Sequence, residues 1–169
     1  MSKLIPTYVF ESIYEITPAL LQGHGARGML IDLDGTMASR HDATPPDTLR
    51  PFLHSFLDAG IEVLVLSNNN ERRVQVFCEG LDVPWLSRAG KPFRRGFQRG
   101  AAVLGVPISE CAVVGDQIYT DTCGGNRAGA AATCYVRSLD LKDFWINLRY
   151  QFERGFIARG KKQMEARKK

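Results

Sequence analysis

Three apolar runs in this chain end the same way. Met29-Leu30-Ile31 runs into Asp32, Ile61 to Leu66 runs into Ser67, and Cys111-Ala112-Val113-Val114-Gly115 runs into Asp116. Short apolar runs stopped by a turn residue read as strands buried on both faces. Between them lie stretches with helical spacing. Thr44-Pro45-Pro46-Asp47 is a helix start, followed by Leu49, Phe52, Leu53, Phe56 and Leu57 and stopped by Ala59-Gly60. A second helix begins at Glu71. A third carries Phe93, Phe97, Ala101 and Leu104 on one face and Arg94, Arg95 and Arg99 on the other. Val83-Pro84-Trp85-Leu86 and Ala130 to Val136 supply two further strands. Strands alternating with helices predict a parallel sheet covered on both faces, an α/β three-layer, Rossmann-like fold. Ligands of such sheets sit beyond the carboxyl ends of the strands, where Asp32, Ser67 and Asp116 are placed.

The first of these ends carries a second carboxylate, in Asp32-Leu33-Asp34-Gly35-Thr36. Side chains two apart on a strand share a face, so Asp32 and Asp34 point the same way while the strand lasts. Their mutual repulsion suits a hard cation, since Mg²⁺ prefers one or two carboxylates with phosphate oxygens and waters. The pair permits a specific chemistry. One Asp attacks phosphorus and forms an aspartyl phosphate. The other protonates the leaving oxygen and later deprotonates the attacking water.

Asp-x-Asp-Gly-Thr resembles the first motif of the haloacid dehalogenase superfamily, and the later strand ends resemble the others in order. Ser67-Asn68 is similar to the second motif, whose hydroxyl and adjacent N–H hold a phosphoryl group; three charged oxygens need donors fixed in place. Lys91-Pro92, in the loop after Leu86, resembles the third, whose Lys neutralises the nucleophile and the phosphoryl oxygens. Gly115-Asp116, with Asp121 five residues on, resembles the fourth. The resemblance implies Asp32 as nucleophile, Asp34 as acid and base, and Ser67, Asn68 and Lys91 on the substrate phosphate. It also implies Mg²⁺ held by Asp32 and Asp116 and contacted by Asp34 through its main-chain carbonyl, with Asp121 supporting from behind. Only 32 residues separate Asp34 from Ser67, and 23 separate Ser67 from Lys91. Neither gap holds a cap domain, so the site is open to a large substrate.

The longer pattern narrows the resemblance. Ile-Thr-Pro-x-Leu, Ser-Asn-Asn-Asn-Glu-Arg-Arg-Val and Gly-Asp-Gln-x-x-Thr-Asp-x-x-Gly-Gly-Asn-Arg-x-Gly look like the capless subclass IIIA phosphatases of the YqeG type. These are similar to mitochondrial phosphatidylglycerophosphate phosphatases. Many members carry Asn at the position of Gly35 and Leu at that of Met37. The resemblance implies a Mg²⁺-dependent phosphomonoester hydrolase acting on a lipid headgroup phosphate. A nucleic-acid end, a phosphoprotein or a soluble sugar phosphate is the alternative substrate. A non-catalytic phospho-receiver domain lacks the acid that Asp34 supplies, and a membrane module that has lost activity would not need the carboxylates.

Charge and composition set the surroundings. The net charge is +4, but Arg149 to the end holds eight Lys/Arg against two Asp/Glu. The basicity therefore belongs to the tail. Residues 142–169 read as a basic amphipathic helix bearing Phe144, Trp145, Leu148, Phe152, Phe156 and Ile157, suited either to packing on the domain or to peripheral contact with an anionic membrane. No aromatic groove or binding motif supports a nucleic-acid partner. The 169 residues make one domain, with residues 1–28 as a lead-in to the first strand. Pro18 after Thr17 is a helix start within the lead-in. Four cysteines without a CxxC pair, no secretory h-region and no spanning apolar run fit a reducing cytoplasm. His24, His41 and His54 read as loop or solvated residues.

Overall fold

The computed structural model describes residues 2–167. Six parallel strands form one sheet in the order β1-β6-β5-β2-β3-β4. They are β1 (Tyr8–Phe10), β2 (Gly28–Ile31), β3 (Glu62–Leu66), β4 (Trp85–Leu86), β5 (Cys111–Gly115) and β6 (Ala132–Val136). The helices are α1 (Pro18–Gln22), α2 (Leu49–Asp58), α3 (Glu71–Cys78), α4 (Arg94–Leu104), α5 (Cys123–Ala128) and α6 (Phe144–Arg167). No described helix is long and apolar enough to cross a membrane.

Chain order explains where the site must lie. From β2 the chain moves out to β3 and β4, then returns to β5 on the other side of β2 and continues to β6. The reversal leaves a crevice at the carboxyl ends of β2 and β5. All four residues of β2 are buried, and it is paired on both edges. Alternation then fills both layers. Met29, Ile31 and Leu33 face the layer of α1, α2 and α3, where Leu53, Phe56 and Phe77 are fully buried. Leu30 faces α4 with Phe97 and Ala101. Burying each large apolar side chain contributes about 1.5–3 kcal/mol, so the central strands are the most firmly held part of the fold.

Several expectations shift in detail. The lead-in contains the edge strand β1, paired with β6, so the sheet has six strands rather than five. Its three residues are too few for a sequence period, and β6 supplies the partner. The start of α2 falls after the Pro-Pro pair: Leu49 N–H donates to the Pro46 carbonyl, and Thr48 makes no side-chain cap. Phe93 precedes α4 and is exposed instead of lying on its buried face. Thr17 caps α1, with Pro18 in its first turn. Cys78, Cys111 and Cys134 are buried free thiols.

The C-terminal helix forms as expected, and its apolar residues divide between two faces. Phe144, Trp145 and Phe152 are 71%, 76% and 69% exposed. The inner face of α6 is set by Ile146, Glu153 and Gly160, with Phe156 and Ile157 against Val9, Ile118 and Tyr135. A Cβ at Gly160 would stand 2.7 Å from Pro6, so close approach to β1 decides which face turns inward. Lys168 and Lys169, the end of the expected basic tail, lie outside the described residues.

Candidate active site

Asp32 and Asp116 each follow the last residue of a central strand, β2 and β5, and both are buried. Asp32 N–H still donates to Val114 O in the ladder, at 2.9 Å, so its main chain is as fixed as the strand. Asp121 reaches the same place from a π-helical turn, Ile118–Thr122, inserted before α5. Such turns widen the helix and re-aim a side chain. Gly115 makes room for it: a Cβ there would stand 2.3 Å from the Asp121 carboxyl carbon. Gly124 and Gly125 seat the following helix against Phe97, Val113 and Thr133.

Lys91 holds these acids together. Its Nζ donates to Asp32 Oδ1 at 2.6 Å and to Asp121 Oδ1 at 2.7 Å, with the ammonium almost wholly buried. Asn68 fixes the lysine's backbone: its Nδ2 donates to Lys91 O at 2.9 Å, and Lys91 N–H donates to its Oδ1 at 2.7 Å. The Asn68 side chain is therefore anchored to the lysine loop by both its oxygen and its nitrogen. Ser67 is buried, and its hydroxyl oxygen accepts from Asn69 N–H at 3.1 Å. Thr36 Oγ1 donates to Asp32 Oδ2 at 3.2 Å. Gly35, at φ +86°, brings the turn close; a Cβ there would meet Asp116 Oδ2 at 2.6 Å and Ser138 Oγ at 2.9 Å.

Asp34 lies apart from the cluster. The side chain of Arg73 donates to its Oδ1 from Nε (3.3 Å) and Nη2 (3.0 Å), and Asn69 Nδ2 donates to its Oδ2 at 3.0 Å. The expected shared direction of Asp32 and Asp34 ends with the strand at Ile31. Asp34 nevertheless lines the same cleft of about 340 Å³, with Asp32, Ser67, Asn68, Asn69, Lys91, Gln117 and Thr120. His24, His41 and His54 take no part in it; His24 Nε2 meets Tyr8 OH at 2.6 Å.

Carboxylate oxygens of Asp32, Asp116 and Asp121 lie within 4.8 Å of one another. Asp121, expected in a supporting place, contributes a carboxylate oxygen to this cluster. Burial raises Asp32 to about 7 against the pull of Lys91, and the charges of Asp121 and Asp116 add to the rise. Burial and Asp121 also raise Asp116 above the usual carboxylate range. Burial alone would lower Lys91, but Asp121 and Asp32 outweigh it and hold the ammonium above its ordinary value. Asp116 Oδ2 accepts from Arg149 Nη2 at 3.2 Å, whereas its buried Oδ1 has no partner among the described residues. The three carboxylates outnumber the cations beside them, Lys91 and Arg149. An unpaired buried acceptor in a net-negative pocket fits a divalent cation.

The sequence pattern did not single out Arg73, Asn69, Thr36, Arg149 or Glu153 for roles at this site. Glu153 is fully buried, accepts from Ile118 N–H at 3.0 Å and lies 3.7 Å from Arg149 Nε, so α6 is tied to the loop that carries Asp121. Burial raises its carboxyl to about 7, against Arg149 and the backbone donors.

Comparison with known proteins places the chain in a family. The chain is 34% identical over 156 residues to the "Probable phosphatase YqeG" of Bacillus subtilis, covering 91% of this chain and 90% of that one. In fold it is similar to 3-deoxy-D-manno-octulosonate 8-phosphate phosphatase from Yersinia pestis (TM-score 0.52, 12% identity, 86% and 88% of the two chains). The cobalt-bound form of the deoxy-D-mannose-octulosonate 8-phosphate phosphatase from Haemophilus influenzae gives TM-score 0.52 at 16% identity over 65% and 68% of the chains. Residues 6–129 match the haloacid dehalogenase-like hydrolases, and the chain belongs to that family, with a six-stranded α/β fold and no cap domain between its strands.

Proposed function

We propose that this chain is a Mg²⁺-dependent phosphomonoester phosphatase that works through an aspartyl phosphate on Asp32. The observation that carries the reading is the buried Asp32 carboxylate, paired with Lys91 at 2.6 Å and facing Asp116 and Asp121 in an open cleft. An Asp32 oxygen attacks phosphorus, and the bond to the leaving oxygen breaks. Asp34 gives that oxygen its proton. Asp34 then takes a proton from water, which attacks the phosphoryl group and releases the Asp32 carboxylate. Ser67, the Asn68 N–H and Lys91 hold the phosphoryl oxygens. Asp32, Asp116 and the main-chain carbonyl of Asp34 would hold the cation, with Asp121 beside them. Bound there, Mg²⁺ would keep Asp32 ionised and reverse the sign of the pocket before a dianionic phosphate enters.

The charge argument has a consequence for stability. Asp32 and Glu153 titrate near 7 in the folded protein against ordinary values of 3.8 and 4.5, so between those values the folded form binds more protons than the unfolded one. Stability is then present at low pH and lost as pH rises through about 7. With EDTA, the melting temperature should fall by roughly 5–10 °C between about pH 5.5 and pH 8. Excess Mg²⁺ should remove most of that fall, because the cation binds the ionised carboxylates. A flat profile with EDTA would contradict the buried acid cluster.

The substrate read from the surface is a lipid headgroup phosphate, with phosphatidylglycerophosphate as the candidate. Phe144, Trp145, Leu148 and Phe152 form an exposed apolar stripe on the first half of α6. The same half reaches Asp116 through Arg149, and the basic residues Arg154, Arg159, Lys161 and Lys162 follow. Aromatic side chains beside basic ones suit the interface of an anionic bilayer, on the cytoplasmic face in this reading. The test measures Mg²⁺-dependent phosphate release from phosphatidylglycerophosphate in mixed micelles, a sugar phosphate, an aryl phosphate, a phosphopeptide and a 3′-phosphorylated oligonucleotide. A preference for the lipid of at least about 100-fold in kcat/KM is expected. Equal rates on all five would remove the lipid assignment and keep the phosphatase. Sedimentation with phosphatidylglycerol vesicles should also weaken when Trp145 and Phe152 are both replaced by Ser; unchanged binding would free α6 from the role.

A further inference from the structure

We infer that Arg73 and Asn69 are positioning residues that aim the Asp34 carboxyl. The inference rests on the acid–base role proposed for Asp34. Asp34 lies past the end of β2, in the turn Leu33-Asp34-Gly35-Thr36, where no strand restrains its side chain. Its direction is set from α3 instead. Arg73 grips Oδ1 with two N–H groups of one guanidinium, at 3.0 and 3.3 Å. Asn69 offers Oδ2 one amide N–H at 3.0 Å.

Both holders are themselves held. Asn69 Oδ1 accepts from Asn70 N–H at 2.8 Å, which leaves its amide hydrogens facing Asp34. Arg73 N–H is capped by Asn70 Oδ1 at 3.0 Å, and the guanidinium carbon stands 5.2 Å over the Phe77 ring. The same guanidinium donates to the carbonyls of Asp42 (2.5 Å) and Ser39 (3.4 Å), so it also ties down the loop after motif Asp-Gly-Thr. The loop after β3 therefore serves two ends of the reaction: Ser67 on the phosphoryl side and Asn69 with Arg73 on the leaving-group side.

The two carboxylate oxygens are not equivalent. Charge-assisted, paired donors bind Oδ1, whereas a single neutral donor binds Oδ2, and the former are roughly twice as strong. Arg73 therefore holds Oδ1 more firmly than Asn69 holds Oδ2, and together they fix the plane of the carboxyl. A proton donor held in this way delivers its proton along one direction, and misplacement costs rate steeply.

The experiment compares kcat/KM for an alkyl phosphomonoester and for 4-nitrophenyl phosphate in the Mg²⁺-loaded full chain. This ratio reports the steps up to transfer onto Asp32, so the later role of Asp34 with water drops out. An alkoxide needs a proton to leave; 4-nitrophenolate does not. Arg73→Met should lose roughly 100-fold on the alkyl ester and under about 5-fold on the aryl ester. Asp34→Asn should show the same selectivity, and the double variant should be no worse than Asp34→Asn alone, because the two act through one group. Arg73→Lys, which keeps the charge over Phe77 and loses the fork, carries the test if Arg73→Met does not fold, and should show the same direction. Equal losses on both esters, or additive losses in the double variant, would overturn the inference. If Asp34→Asn itself spares the alkyl ester, the fault lies with the acid assignment and not with Arg73.

Discussion

Replacing Asp32 by Asn should lower phosphate release by at least about 10⁴-fold while leaving the fold intact, as removal of a nucleophile does. Asparagine has the shape of aspartate, so the ladder bond from residue 32 to Val114 O and the packing around it survive. Lys91 loses one carboxylate and keeps Asp121 at 2.7 Å. The variant also removes a buried charge that burial, Asp121 and Asp116 all disfavour. In EDTA at pH 8 it should therefore melt at or above the temperature of the wild type. Two readouts moving in opposite directions separate a lost nucleophile from a damaged fold. Acid-quenched wild type should carry an acyl phosphate at Asp32 during turnover, and the variant none. Turnover within tenfold of wild type would assign the attack to another group.

The central sheet was legible because its strands are buried on both faces and so read as uninterrupted apolar runs. Four of the five expected strands are longer than three residues or end in a chemically distinct residue. The edge strand β1 was not legible, since three residues between Pro6 and Ser12 carry no period and owe their conformation to β6. Which face of α6 turns inward was not legible either. Its six apolar residues suggest one stripe, yet a buried Glu153 and a glycine at 160 decide the inner face. A charged residue buried against a main-chain N–H leaves no trace in hydrophobic spacing.

At the site, spacing placed Asp32, Ser67, Lys91 and Asp116 at or after strand ends; the structure lines one cleft with Asp32, Asp34, Ser67 and Lys91 and gathers Asp116 and Asp121 around Asp32. What spacing could not show was the division of labour among donors. Asn68 spends its side chain on the lysine loop, and Arg73 and Asn69 face Asp34 from a helix start whose polar residues look like ordinary caps. Gly115 and Gly35 carried a signal that could have been used. A glycine directly before or after a site carboxylate often means that another group must approach the backbone there.

Lys91→Met should have the largest effect on stability. The lysine stem fits a methionine, so the change removes the charge and little of the packing. Asp32 and Asp121 then lose the ammonium they share, and Arg149 remains as the cation at Asp116. Removing one partner of a buried ion pair costs about 3–5 kcal/mol, because the other is left charged and unsolvated. For a chain of this size that corresponds to a fall of roughly 10–15 °C in melting temperature in EDTA at pH 8. The deficit has a specific remedy. Near pH 5 the orphaned carboxylates protonate, and Mg²⁺ replaces the missing positive charge, so either condition should restore much of the loss. Activity should not return with Mg²⁺: without the ammonium the phosphoryl oxygens lose a fixed donor, and kcat/KM should stay down by at least about 10³-fold. A melting temperature within about 2 °C of wild type in EDTA at pH 8 would mean that Lys91 does not neutralise the cluster. Recovery of both stability and activity by Mg²⁺ would confine the lysine to a structural role.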